Sequence, residues 1–337
     1  MEEGLERAVR AKTSKIRLVN ANLNLLFAHQ ALFLLKNCLC LPKLLYILRC
    51  SPVWKVPALL REFDEVVRSS LSEIANTGMS SGPWRQATLP VGLGGLGIRR
   101  TEEVALPAFL ASLHSVRQLV LSILPEADLH GEANLALSKW SLLSTAEPPV
   151  PELRRQQKAW DMALLKEIHE QLVSTASDND KARLLAVSDK NSGSWLHALP
   201  LPSLGNLLDN NALRISIGLR LGAKLCRPHV CRCGASVDEF GQHGLSCKFS
   251  GGRHSALNES LKRALTTAQI PTVLEPPGIF RKDKRRPDGM TQVPWKNGKE
   301  LVWDVTVVDT QALTNFAMST AKAGSAADAA EKRKITK

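Results

Sequence analysis

The sequence predicts a mainly α-helical N-terminal region, then a small Cys/His-rich knuckle, and last a partial α/β module. Three observations carry that prediction. Up to about residue 222, apolar residues recur at three- and four-residue steps in successive runs, the period of amphipathic helices. Between 226 and 247, cysteine and histidine crowd together. Beyond Cys247, short β-branched runs alternate with helix-prone ones, as in a small α/β unit. The 337 residues suffice for about two domains, and 44% hydrophobic with 23% charged residues excludes a wholly disordered or collagen-like chain.

In chain order, Cys38 and Cys40 sit in an apolar helical run and are both expected as core thiols. Pro57 suits the first turn of a helix. Leu60, Phe63, Val67, Leu71 and Ile74 then form an apolar stripe opposite Arg61, Glu62, Glu65, Arg68 and Glu73, with Gly78 as the expected stop. A second helix carries Leu106, Phe109, Leu110, Leu113, Leu119, Val120 and Ile123 and ends at Pro125. Between them, Leu93-Gly94-Gly95-Leu96-Gly97 reads as a tight connection, without the lysine or preceding strand of a phosphate-binding loop. Proline and glycine make 126–151 a linker with one short helix. Helix returns over 152–173, a polar loop follows over 174–181, and a helix over 211–221 leads into the knuckle. The dispersed Trp residues are expected mostly as core anchors. The expected divisions are 1–125, 126–222, 223–250 and 251–337.

Lys+Arg number 44 against 32 Asp+Glu, a net charge of +12 that favours a polyanionic partner, nucleic acid before acidic membrane. Seven cysteines, partly clustered, fit metal binding in a reducing compartment better than a disulfide framework. Glu2-Glu3 after Met1 is unlike a secretory leader. Asn20, Asn22, Asn24, His29, Gln30, Lys36 and Asn37 interrupt the greasiest stretch, 18–48, below what a bilayer span needs. A soluble protein of the nucleus or cytoplasm is therefore expected.

In the cysteine cluster, Cys231, Cys233, His243 and Cys247 offer four soft ligands for a closed tetrahedral zinc site. Gly234 lets the backbone curl behind the second thiolate, and nine residues from Cys233 to His243 bring the second pair back. The single residue between Cys231 and Cys233 is a tight spacing, so Cys226 and His229 stand as alternatives to Cys231. Reduced, metal-free cysteines are the competing reading.

Further on, Arg281, Lys282, Lys284, Arg285 and Arg286 lead into Pro287-Asp288-Gly289, and fifteen residues separate Asp288 from Asp304. On a strand, Leu301, Trp303, Val305 and Val307 share one face, and Val302, Asp304, Thr306 and Val308 the other. A carboxylate among β-branched residues is costly to bury without a partner or a metal. Asp288 and Asp304 on adjacent strands follow the logic of a PD-(D/E)xK nuclease site, in which magnesium activates water and offsets charge on the leaving oxygen. Thr306 stands where that pattern has a lysine. The alternative is a structural Asp304 paired with a nearby cation. Lys284, Arg285 and Arg286, with Arg253 and His254, are the expected nucleic-acid contacts. Glu259 and Glu275 read as surface residues and Asp309 as a turn residue.

Several of these motifs resemble one family. Cys-Arg-Cys-Gly…Gly-Gln-His-Gly-Leu-Ser-Cys, Arg253-His254 with Asn258, Lys284-Arg285-Arg286-Pro287-Asp288-Gly289, and Trp303-Asp304-Val305-Thr306 are similar to the end of non-long-terminal-repeat retrotransposon proteins that carry a restriction-like endonuclease. Leu44-Leu45-Tyr46-Ile47-Leu48-Arg49, Trp84-Arg85-Gln86-Ala87-Thr88-Leu89-Pro90 and Gly94-Gly95-Leu96-Gly97 resemble the helical thumb and linker that follow the polymerase palm in such proteins. The resemblance implies a zinc knuckle before an incomplete PD-(D/E)xK endonuclease-like module. It implies magnesium at Asp288 and Asp304, and Lys334, from the Lys-x-x-Lys run at 334–337, as the catalytic lysine. The implied activity is nicking of target DNA for retrotransposition, the partners DNA, RNA or both, with neither a membrane nor a small-molecule substrate. No aromatic-x-Asp-Asp motif occurs, so no polymerase site is expected, and the chain reads as an internal piece truncated at both ends. A non-catalytic nucleic-acid-binding scaffold, or a degenerate retroelement fragment, is the alternative.

Overall fold

The structure is a computed structural model that describes residues 2–247, 249, 252–279 and 286–335. Ten helices come first: α1 (Glu2–Leu23), α2 (Ala28–Leu34), α3 (Leu41–Cys50), α4 (Pro57–Ala75), α5 (Ser81–Ala87), α6 (Thr101–Ile123), α7 (Leu129–Ser141), α8 (Gln157–Thr175), α9 (Asp178–Val187) and α10 (Asn210–Leu221). A short hairpin, β1 (His229–Val230) and β2 (Ser236–Val237), precedes α11 (Gly252–Thr267). The antiparallel strands β3 (Thr272–Leu274), β4 (Gly289–Thr291) and β5 (Val302–Trp303) follow, then α12 (Leu313–Ala321) and α13 (Ser325–Ile335). The molecule is thus mainly helical, with a small sheet late in the chain.

Two apolar clusters hold the helical body. The larger joins Leu35, Leu44, Leu60, Phe63 and Leu71 to Leu196 and to Leu213, Ile217 and Leu221 of α10. In the second, Leu106, Phe109 and Leu110 of α6 pack on Trp140 of α7 and Trp160 of α8, whose rings meet edge to face at 5.3 Å. Because Val104, Ala105 and Ala108 of α6 belong to the larger cluster, this helix is buried on two sides and serves both. The expected division at 125 therefore separates no cores, and α10 completes the first one. The N-terminus of α6 is capped from α4: Asp64 accepts from Thr101 N (2.8 Å), Thr101 Oγ1 (2.8 Å) and Glu102 N (3.2 Å). Burial pushes the Asp64 carboxyl up to about 6, against these hydrogen bonds and Arg100, which pull it down.

The glycine-rich turn is structural. Gly94 and Gly97 have φ of 83° and 78°, and a Cβ at Gly95 would collide with the Leu89 carbonyl. Two stretches, Ala28–Cys50 and Thr101–Ile123, are long and apolar enough to cross a membrane, yet both bury core side chains in this fold.

Several local expectations are corrected. Helix α4 stops at Asn76 (φ 48°), whose short polar side chain tolerates the left-handed region, before Gly78 is reached. The linker holds a full helix, α7, because the Asp128 carboxylate accepts Gly131 N at 2.7 Å and caps it. Ser177 starts α9 by accepting Asp180 N at 3.3 Å, which makes 178–181 of the expected loop helical, while α8 runs on to Thr175 at its other end. Cys40 is buried but Cys38 is exposed: Cys38 lies in a π-helical turn, Leu35–Leu39, and Cys40 ends that turn with its Sγ turned back to Lys36 O at 3.2 Å. Trp295 is 52% exposed and anchors no core. The extended run over 301–308 pairs with β4 only at Val302–Trp303.

Beyond Ala223 the buried apolar side chains among the described residues are few: Val237, Leu265, Ala326 and Ala330, with Pro276 and Pro287. Polar residues take their place, with Asn258, Thr291, Asn315 and Ser319 all buried.

Candidate metal centre and carboxylate cleft

The knuckle is built by turns. Strand β1 delivers Cys231, whose N–H donates to Ala235 O at 2.9 Å, while Gly234 N–H returns to Cys231 O at 2.8 Å. Gly234 has φ of 88°, a conformation that suits glycine and lets Cys233 double back. A single helical turn, Gln242–Leu245, presents His243 after Gly241, also left-handed at φ 66°.

The result is a cluster in which one ligand atom from each of Cys231, Cys233, His243 and Cys247 lies within 4.8 Å of the others. Cys231 Sγ is 3.6 Å from Cys247 Sγ, and Cys233 Sγ is 3.2 Å from His243 Nε2. Zinc–thiolate bonds near 2.3 Å give tetrahedral edges of about 3.7 Å, so this Cys3His set could bind zinc. The Cys233 backbone N–H and His243 push the Cys231 thiol down to about 6. Cys247 moves the other way: the Phe249 N–H lowers it, but desolvation and the paired Cys231 prevail and raise it. One thiolate is thus favoured before any cation arrives, and thiolate is the form that binds metal. The alternatives to Cys231 are engaged elsewhere, Cys226 Sγ with Asp238 O (3.2 Å) and His229 Nδ1 with Arg227 O (2.9 Å).

Asp304 lines a separate cleft of about 610 Å³, with Pro287, Val302, Trp303, Thr306 and Val308 on one side and α13 on the other; Asp288 follows Pro287 but is not part of that lining. Strand β4 follows Asp288 directly. Gly289 lies opposite Trp303, and a Cβ there would collide with the indole, which accounts for the glycine after Asp288. Asp288 Oδ2 accepts Val305 N at 2.6 Å and His254 Nε2 at 3.0 Å. The polarity of the next bonds fixes the histidine. Trp303 Nε1–H can only donate, and does so to Asn258 Oδ1 at 3.2 Å; Asn258 Nδ2 then donates to His254 Nδ1 at 3.4 Å. His254 Nε2 therefore carries the proton given to Asp288.

From the far end of the chain, Lys334 Nζ donates to Asp304 Oδ1 and, at 2.6 Å, to Val305 O. Asp288, Asp304, Lys334 and His254 thus meet around one backbone segment, 304–305. Arg253 lies apart, in another pocket with Arg183 and Arg220. Lys284 and Arg285 lie outside the described residues, and Arg286 is described at the start of the segment leading to Asp288. Asp309 is a turn residue whose Oδ1 accepts Gln311 N at 2.9 Å. Sequence reasoning gave no role to Asn258, which joins His254 to Trp303. Its spacing of four from His254, on one helix face, was the available signal. Asp328 and Glu331 of α13 also line the cleft, and nothing in their spacing from Asp304 announced it.

Comparison of the chain with models of known protein families, and with curated proteins, finds no match.

Proposed function

We propose that this chain is a nucleic-acid-binding part of a retrotransposon protein with a magnesium-dependent DNA endonuclease-type site at Asp288, Asp304 and Lys334. One observation carries the reading: residues separated by 16 and 30 positions in sequence, Asp288, Asp304 and Lys334, meet around the backbone of Val305, and in sequence a basic run precedes Asp288. The +12 charge supports a polyanionic substrate. The oxygen donors of Asp288, Asp304 and Val305 have the hard chemistry that magnesium takes, with water completing its shell. Bound there, the cation would lower the pKa of a water and offset charge on the departing oxygen.

The chain's own residues have separable parts in this scheme. His254 and the Val305 N–H hold Asp288 Oδ2, which leaves Oδ1 to serve as the ligand. Lys334 holds Asp304 and carries its ammonium to the cleft, where it would bond a non-bridging phosphate oxygen. With the cation bound, water oxygen would add to phosphorus and give its proton to solvent, while the phosphorus–oxygen bond to the sugar would break and the departing oxygen would take a proton from solvent. The knuckle, loaded with zinc, grips the strand without taking part in chemistry.

Nicking and gel-shift assays on one preparation test the proposal. Plasmid nicking in magnesium should disappear in Asp288→Asn and Asp304→Asn, while binding stays equal or tightens because a charge facing phosphate is lost. Salt-sensitive binding with no nicking would leave a non-catalytic scaffold, the reading favoured if Lys334 serves only as the structural partner of Asp304. Nicking that persists in both variants would overturn the site.

A further inference from the structure

A pocket of about 300 Å³, distinct from the cleft and the knuckle, lies where α9, α10 and the segment 308–311 meet. Its lining gathers Arg183, Arg220 and Arg253, the hydroxyl residues Ser216 and Thr310, and one carboxylate, Asp309. Two of these arginines are deeply buried, Arg220 keeping 4% and Arg183 8% of its surface. The Arg220 guanidinium donates to the carbonyls of Gly95 (3.1 Å), Ser192 (3.3 Å) and Val91 (2.9 Å). These acceptors are neutral, they engage three of its five N–H bonds, and Arg220 forms no ion pair among the described residues.

Its neighbours do not supply the missing charge. Arg183 is matched by Asp180 at 2.6 Å, and Asp309, the one carboxylate of the lining, forms no ion pair with Arg220 or Arg253 among the described residues. Arg253, in the first turn of α11, makes no hydrogen bond or ion pair among the described residues and points a third charge at the pocket's lining. Burial, then the adjacent Arg183, pushes the Arg220 guanidinium down to about 10, as expected of a cation held without a counter-ion. Leaving a charge buried and unpaired is costly, and an anion in the pocket would offset that cost.

We propose that this pocket is a phosphate site, in which Arg220 and Arg253 bind the anion with the hydroxyls of Ser216 and Thr310, and that its occupant is a phosphate of a nucleic-acid backbone. The choice of occupant rests on the nucleic-acid reading above; the anion site itself does not. Because α9 and α10 belong to the helical body and Arg253 to the C-terminal part, a seated phosphate would tie the two together.

Arg253→Gln removes no hydrogen bond or ion pair among the described residues, so the variant should keep its fold. Two measurements are made on it and on wild type. Thermal unfolding is followed in inorganic phosphate and in chloride at matched ionic strength. Binding of a duplex oligonucleotide is followed across a salt series. Phosphate should raise the wild-type Tm above its value in chloride, and Arg253→Gln should lose at least half of that gain. The log–log salt slope of duplex binding should fall by about one in the variant. Equal Tm in phosphate and chloride, or a gain that survives in Arg253→Gln, overturns the site. A lost gain with an unchanged salt slope overturns the nucleic-acid occupant and identifies free phosphate instead. Wild type that binds no duplex refutes the proposed function, while the Tm comparison still decides the anion site.

Discussion

The helical body up to α10 and the part beyond it are held together by different physics. The body buries Leu, Phe and Trp side chains in two adjoining clusters that share α6. Beyond Ala223, the described residues bury one valine, one leucine, two alanines and two prolines, far less apolar surface than the body buries. Side-chain polar links replace it: the Cys/His cluster, the relay from Trp303 through Asn258 and His254 to Asp288, and Lys334 on Asp304. The contrast teaches where function resides. A leucine core specifies shape and little chemistry, whereas the C-terminal part brings together a Cys3His set that could bind zinc.

The largest expected effect is removal of the metal. Structural zinc contributes about 10–16 kcal/mol in small zinc modules, far more than Val237 can. Chelation, or Cys247→Ser, should unfold 226–247 and release one zinc per chain, while the exposed Cys38→Ser should retain it. Metal analysis of the two variants checks this, and equal retention would break the comparison.

Next comes the apolar core. Trp160→Ala should cost about 3–5 kcal/mol, since the ring is fully buried against Trp140 and His114. Leu257→Ala, on an exposed position of α11, should cost under ~0.5 kcal/mol. Urea denaturation of the two variants measures the difference, and similar costs would mean that the C-terminal part has an apolar core after all.

A smaller effect belongs to Asp64. Its folded carboxyl is raised to about 6, so its protonated form is favoured in the folded state. The associated stability is present below about pH 4, the unfolded value, and is lost as pH rises through about 6. Relative to wild type, Asp64→Asn should therefore show a flatter stability profile between pH 4 and 6. A wild-type profile that rises more steeply than the variant's over that interval would contradict the direction. Asp64→Ala, which leaves the N–H groups of Thr101 and Glu102 without their acceptor while Thr101 Oγ1 keeps Leu60 O, should cost about 1–3 kcal/mol at any pH.

The smallest is Asp304→Asn. Its partner Lys334 is partly exposed, so stability should change by under ~1 kcal/mol, measured by thermal unfolding. A larger loss would make the cleft a structural support first.

The same contrast governs how much could be read from sequence. Periodicity located α4, α6, α8 and α10 because burying one face of a helix requires that spacing. Periodicity did not show that α10 returns to the first core, since an apolar stripe does not say which stripe it meets. Helix ends depended on single polar residues: Asn76 overtook Gly78, and Asp128 and Ser177 started helices where small polar residues suggested loops. In the C-terminal part, the four metal-ligand residues were legible because chemistry restricts a thiolate–imidazole set to few spacings. Lys334 could be named from a family-like motif, but its contact with Asp304 depends on how α13 folds back, which no local pattern encodes. Arg220 reads as an ordinary helical arginine, and only the packed structure exposes its missing counter-ion.

Hydrogen exchange on the purified chain, with zinc content measured before and after chelation, tests the central contrast most directly. The account predicts one zinc per chain, protection across 226–247 that disappears with the metal, and α1–α10 protected to the same degree in both states. A chain that holds no zinc, or a knuckle equally protected after chelation, would contradict it.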